Sequence, residues 1–212
     1  LMIMSLAQQI KCISEAEYLT GEKLSEIKHE YIDGEVYAMA GASASHNRLT
    51  LNVATAFSVH LKGKPCQPYT SDMKVKTGSK YFYPDVLVDC SNLPDDSHFT
   101  ESPTLIVEVL SKSTRRTDET TKRTAYQQIT TLQEYILIEQ DFVDVEVVRR
   151  SRGWQSERFY LGDAITFESI ALTLTVEDIY ERVNNPELLE WRQLQAEAHA
   201  AVANSESKLA HQ

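Results

Sequence analysis

Two consecutive apolar runs each carry a carboxylate near their middle, and no other feature of the chain restricts its fold as much. The first reads YFYPDVLVDC from Tyr81 and the second LIVEVLS from Leu105. Both are strand-like, and side chains alternate between the faces of a strand. Asp85, Leu87 and Asp89 therefore share one face, as do Ile106, Glu108 and Leu110. Glu108 projects beside two core-type aliphatics, where a lone carboxylate is costly to ionise without a cation or donor to compensate it. Two such acids on neighbouring strands would form an oxygen-rich site for a hard divalent cation. Lys122 follows on a predicted helix, within reach of an anionic ligand.

The rest of the pattern supplies layers around these strands. Ser14 is a suitable N-cap for a helix running to Leu24, with Glu15 and Glu17 in its first turn. HEYI and EVYAMAG, joined by Asp33-Gly34, predict a hairpin with a type I′ turn. From His46 to about Leu61, apolar residues at helical spacing predict a second helix, ended by Gly63-Lys64-Pro65. Strands are expected at Asp72–Lys76, Tyr81–Asp89, Leu105–Leu110, Tyr135–Glu139, Val143–Arg149 and Arg158–Leu161. Between the third and fourth of these lies a helix with Thr117 as its cap and Ala125, Ile129 and Leu132 as its buried stripe. A strand, a helix and a strand in that order make a crossover in a mixed sheet. Residues 1–185 form one α/β domain on this reading, and residues 186–212, opened by Pro186, form a C-terminal helical extension.

The order Pro84-Asp85, then Glu108-Val109-Leu110, then Lys122 resembles the PD-(D/E)XK nuclease core. The longer stretches HEYIDGEVYAMAGASASHN, YPDVLVDC, PTLIVEVLSKSTRRTDETTKRTAYQQI and LQEYILI resemble the Uma2 family, also known as DUF820. The resemblance spans about Tyr18 to Phe167. It implies a restriction-endonuclease-like core, a mixed central sheet flanked by helices, and hydrolysis of DNA phosphodiester bonds with Mg²⁺ or Mn²⁺. In that scheme Asp85, Glu108 and the Val109 carbonyl hold the ion, and Lys122 acts in catalysis. The superfamily motif puts its lysine two positions after the glutamate, where this chain has Leu110; in Uma2-like proteins the following helix supplies it, and Lys122 is the match. The resemblance also implies a homodimer, with Leu188, Leu189, Trp191 and Leu194 as a candidate patch.

Three further residues have two readings each. Glu30 either completes the acidic cluster or is an ordinary strand charge. Tyr126, one turn beyond Lys122, is either core or a hydroxyl reaching the site. His46 matches a histidine of the family block, and a histidine at a helix start is otherwise structural. Asp89 lies about 7 Å along the strand from Asp85 and is secondary. Glu108 has a bland alternative as well, an ion pair with Arg115 or Lys122.

Composition argues in the other direction. The net charge is −10 and the pI near 5.1, whereas nucleic-acid affinity comes mainly from Lys and Arg on phosphates. The stretch 111–123 holds five basic residues against Asp118 and Glu119, which predicts a local basic face. A nuclease-like scaffold that binds nucleic acid or a protein partner without cutting is the alternative. Cys12, Cys66 and Cys90 are widely spaced and odd in number, which reads as reduced thiols in a cytoplasmic protein rather than a disulfide framework. No apolar run is long enough to span a bilayer.

Overall fold

The computed structural model describes residues 12–209. Helix α1 (Glu15–Glu22) starts at Ser14, which forms a reciprocal capping box with Glu17, and it stops two residues short of Leu24. Strands β1 (His29–Ile32) and β2 (Glu35–Ala38) make the expected hairpin. Its turn takes Asp33 and Gly34 to φ 50° and 100°, the left-handed conformations a type I′ turn demands. Helix α2 (Ala44–Leu61) begins two residues before His46, because the Ser43 hydroxyl accepts from the His46 amide and caps it. Leu49, Val53, Phe57 and Leu61 line its buried face.

Strands β3 (Gln67–Thr70), β4 (Lys74–Thr77), β5 (Lys80–Phe82) and β6 (Val86–Asp89) follow, then the two-residue β7 (Phe99–Thr100) and the long β8 (Pro103–Leu110). The run from Tyr81 to Asp89 is therefore not one strand. It breaks at Tyr83-Pro84-Asp85, and the chain passes there from a five-stranded sheet (β2-β1-β5-β4-β7) to a six-stranded one in which β8, β6 and β3 lie side by side with three later strands. Pro84 has no amide hydrogen to give to a ladder, so the continuous apolar pattern hides a boundary that the proline marks.

After β8 the chain makes α3 (Arg115–Thr117), a π-helical turn (Asp118–Lys122) and α4 (Arg123–Gln127). The helical stretch starts before Thr117, which does not cap it, and ends before Ile129 and Leu132. Those two residues are still buried, from the segment beyond the helix. The crossover holds as expected: β9 (Glu134–Glu139) runs parallel to β8. Next come β10 (Val145–Arg149), β11 (Ser156–Phe159), the paired β12 (Ala164–Phe167) and β13 (Leu172–Thr175), α5 (Val176–Ile179) and α6 (Pro186–Leu209). The β12–β13 pair was not expected from the pattern. Buried Arg149 fixes it, donating to the Thr166 carbonyl at 2.7 Å while its other nitrogens pair with Glu134 and Glu157.

Alternation along β6 and β8 divides the core as expected. Val86, Val88, Leu105, Val107 and Val109 pack towards α2, and Leu87, Ile106 and Leu110 pack with Tyr126, Tyr135 and Leu137 on the other face. Leu188 of α6 enters the first cluster, whereas Leu189 and Leu194 are exposed. The cysteine expectation is overturned, since Cys66 and Cys90 form a disulfide. They sit one residue beyond the Gln67↔Asp89 pair, so antiparallel register sets them side by side despite their spacing in sequence. Among the described residues, no helix is long and apolar enough to cross a membrane.

Candidate active site

The break at Pro84 and the strand β8 together set the two acids against each other. Val86 pairs with Val107, and Asp85 and Glu108 are the next residues outward on each side. The Asp85 backbone carbonyl accepts from the Ser71 amide, and its Oδ2 accepts from the Val109 amide at 2.7 Å. Asp85 is thus held by β8 rather than by its own strand, which is why a residue in a sheet-to-sheet passage is still fixed.

Glu108 is 3% exposed, on the face it shares with Ile106 and Leu110. Its Oε1 accepts from Lys122 Nζ and from the Tyr126 hydroxyl, both at 3.1 Å. The Tyr126 hydroxyl therefore reaches the site, and its ring packs against Phe82 and Tyr135. Lys122 is buried as well, and its ammonium lies 2.9 Å from Glu30 Oε1 and 3.1 Å from both Glu108 Oε1 and Asp118 Oδ1. Glu30 belongs to the cluster, and its Oε1 also accepts from the Tyr83 amide at the break. Asp118 and Lys122, one turn apart, meet at the same spot from a π-helical turn, a form frequent at functional sites.

Of the two ion pairs weighed for Glu108, the Lys122 pair forms and the Arg115 pair does not. Arg115 instead makes a two-pronged contact with Glu139, and Arg123 pairs with Glu146. The basic face expected from residues 111–123 is therefore mostly spent on acids of neighbouring strands. Asp89 also drops out, because its carboxylate accepts from Thr100, Ser91 and Ser102 and closes the loop after β6.

Charge is out of balance here. Glu30, Glu108 and Asp118 surround one lysine, and Asp85 lies beside Glu108. Burial pushes the Glu108 carboxyl well above its ordinary range; Lys122 opposes this, and the charges of Asp118, Asp85 and Glu30 add to it. Asp118 moves up for the same first reason. Burial alone would discharge Lys122, but the surrounding carboxylates outweigh it and hold the ammonium charged. His46 stands at the other side, its Nε2 3.4 Å from Asp85 Oδ2. Burial pulls its imidazole down, yet the hydrogen bond and charge of Asp85, the Val109 carbonyl and Asp118 outweigh that and leave it above its ordinary value.

These side chains form the floor of a cavity of about 1210 Å³, walled by the β1–β2 hairpin, the start of α2 and the loop after β8. The donor set suits a hard cation. Asp118 Oδ1 lies 3.1 Å from the Lys122 ammonium, and Lys122 and Thr114 are its hydrogen-bonding neighbours. Asp85 and Glu108 each spend one oxygen on the protein contacts above. Among the described residues, no three His, Cys, Asp or Glu side chains gather closely enough to hold a metal ion unaided. A site would thus draw on Asp85, Glu108, the Val109 carbonyl and solvent, and Mg²⁺ characteristically keeps several waters.

Sequence reasoning missed Asp118, which it counted only as an acid set against the basic residues of 111–123. The Asp118-x-x-x-Lys122 spacing was a visible signal.

Comparison with known proteins bears on this geometry. The Uma2 family model, described as "Putative restriction endonuclease", matches residues 15–177. Among curated proteins, "Uncharacterized protein slr1290" of Synechocystis sp. is 34% identical over 175 residues, covering 79% of this chain and 91% of the relative. "Uncharacterized protein sll1609" of the same organism is 37% identical over 162 residues, covering 71% and 89%. Among solved structures, a chain titled as a putative nuclease belonging to DUF820 from Anabaena variabilis superposes with a TM-score of 0.68. Their identity is 21%, and the match covers 81% of this chain and 99% of the other.

Proposed function

The chain belongs to the Uma2 family, and from that premise we propose that it is a divalent-metal-dependent endonuclease hydrolysing DNA phosphodiester bonds. One observation carries the reading: Asp85 and Glu108 face each other on the floor of a cavity, beside a buried lysine held charged by carboxylates. Asp85, Glu108 and the Val109 carbonyl would hold Mg²⁺ or Mn²⁺. Such an ion, when bound, supplies a Lewis acid that acidifies water and offsets phosphate charge. The protein's part is positioning. The Val109 amide fixes Asp85, the Tyr126 hydroxyl orients Glu108, and Glu30 and Asp118 keep the Lys122 ammonium in place to meet a non-bridging phosphate oxygen.

Calorimetric titration with Mn²⁺ tests the site. Binding to wild type should weaken strongly in Asp85→Asn and in Glu108→Gln, and cleavage of plasmid or single-stranded DNA should vanish in both. Equal affinity in all three proteins removes the site. A second reading, a scaffold that binds without cutting, draws on the engagement of Lys122 by three carboxylates and on the neutralised basic face. Metal binding with no cleavage under any divalent ion would select it. The homodimer belongs to this proposal too: Leu189 and Leu194 are exposed on α6, and light scattering should give about twice 24.1 kDa.

A further inference from the structure

The walls of the cavity bear on which nucleic acid enters it. Tyr37 is 48% exposed and lines the cavity from β2. It is the direct cross-strand partner of Glu30, and directly opposed residues of an antiparallel pair project from the same face. An accessible aromatic ring therefore stands next to the carboxylate that grips Lys122. On the loop after β8, which also walls the cavity, Lys112 is exposed and has no acidic partner among the described residues. Lys28, also on the wall, is paired with Asp72. The floor itself is deep, with Glu108 3% and Lys122 4% exposed.

These features select against a double helix. Glu108 and Lys122 are so deeply buried that a phosphate reaches them only from a backbone free to bend towards the floor, and a stiff duplex is not. It also carries one charge for about every 1.7 Å of axis and calls for a long basic track, whereas Arg115 and Arg123 are already committed to Glu139 and Glu146. A single strand needs less charge, because bases stacked on aromatic rings supply much of its affinity whatever their sequence.

We infer that the cavity takes one unpaired nucleic-acid strand, with a base stacked on Tyr37, the adjoining phosphate over the Glu108–Lys122 floor and a neighbouring phosphate at Lys112. This rests on the nuclease reading and departs from the duplex cutting that a restriction enzyme performs.

The full chain is assayed with labelled oligothymidylate, oligouridylate and a DNA duplex of equal length, for cleavage in Mn²⁺ and for binding by fluorescence anisotropy in Ca²⁺. Single strands should bind at least tenfold tighter than the duplex and be cut correspondingly faster; the two homopolymers separate DNA from RNA. Tyr37→Ala should weaken single-strand binding about tenfold and act on KM rather than kcat, while Tyr37→Phe keeps the affinity. Tyr160→Ala, an exposed tyrosine outside the cavity, should change nothing. Duplex bound or cut as well as single strand overturns the inference but leaves the nuclease reading intact, as does a Tyr37→Ala protein that binds like wild type. Strands bound in the expected order but never cut overturn the nuclease reading and keep the inference as one about binding.

Discussion

Replacing Lys122 with methionine keeps the aliphatic stem and removes the one ammonium shared by Glu30, Glu108 and Asp118. All three carboxylates are buried and lie within 3.1 Å of it. Breaking a buried ion pair by deleting one partner costs about 3–5 kcal/mol, because the remaining charge is left uncompensated. At roughly 2–4 °C per kcal/mol for a chain of this size, Tm should fall by about 6–20 °C. Calorimetry or circular dichroism in EDTA at pH 8 measures it. Two rescues follow from the same physics. Mn²⁺ at a hundred times its Kd would restore about 2.7 kcal/mol. Acidification should help too: burial holds the Glu108 and Asp118 carboxyls above their ordinary range, and the lost ammonium no longer opposes it. The folded variant then takes up protons that the unfolded chain releases, so its stability rises as pH falls from 8 to 5 and the deficit narrows. Adding Glu108→Gln to Lys122→Met should recover part of the loss. A Lys122→Met protein melting within about 2 °C of wild type in EDTA at pH 8 would refute the clamp, since even the low end of the estimate exceeds that.

Other outcomes are expected from the same structure. In the otherwise wild-type, metal-free chain, Glu108→Gln should raise Tm at pH 8 and have little effect at pH 5. Wild-type Glu108 has a raised folded pKa, so its destabilising charge appears only as pH climbs; a pH series of melts decides, and an equal shift at both ends contradicts it. Cys66→Ser should cost about 3 kcal/mol by the entropy of closing a loop of this length, the cysteines being 24 apart in sequence. Thiol titration in urea without reductant should find only Cys12 reactive, and three reactive thiols would rule the bridge out. Tyr126→Phe keeps the buried ring and loses one hydrogen bond to Glu108, so a stability loss of about 1 kcal/mol is expected from chemical denaturation.

The acids were legible because a charge in an apolar run breaks a periodic pattern, and alternation then assigns its face. Glu108 and its neighbours follow that logic without adjustment. Lys122 was legible as a nearby cation, but the family motif was needed to tie it to Glu108, since its spacing from Glu108 has no periodic meaning across a loop. The break at Pro84 was obscured because residues on either side are equally apolar: both sheets are buried there, and a hydrophobicity pattern carries no record of which sheet a residue joins. The expected basic face failed for a different reason. Glu139 and Glu146, which neutralise Arg115 and Arg123, lie on β9 and β10, and charge counting along a segment cannot see partners that tertiary packing delivers. The Cys66–Cys90 bridge was missed in the same way, for it depends on β3 pairing with β6.

The position of Lys122 between the two sheets has a consequence for the order in which the chain folds. Asp118 is one turn away from it and Glu108 lies on the strand just before, so those contacts belong to the local β8–β9 crossover. Glu30 comes from a hairpin near the other end of the chain and from the other sheet. That last contact joins the two sheets and spans the longest stretch of chain of the three, so it is expected to form late, beyond the rate-limiting barrier. Loss of the Glu30–Lys122 contact should then leave the folding rate nearly unchanged and quicken unfolding, the signature of a low φ-value. The same lysine that the chemistry asks to face a phosphate thus also sets how long the assembled fold lasts.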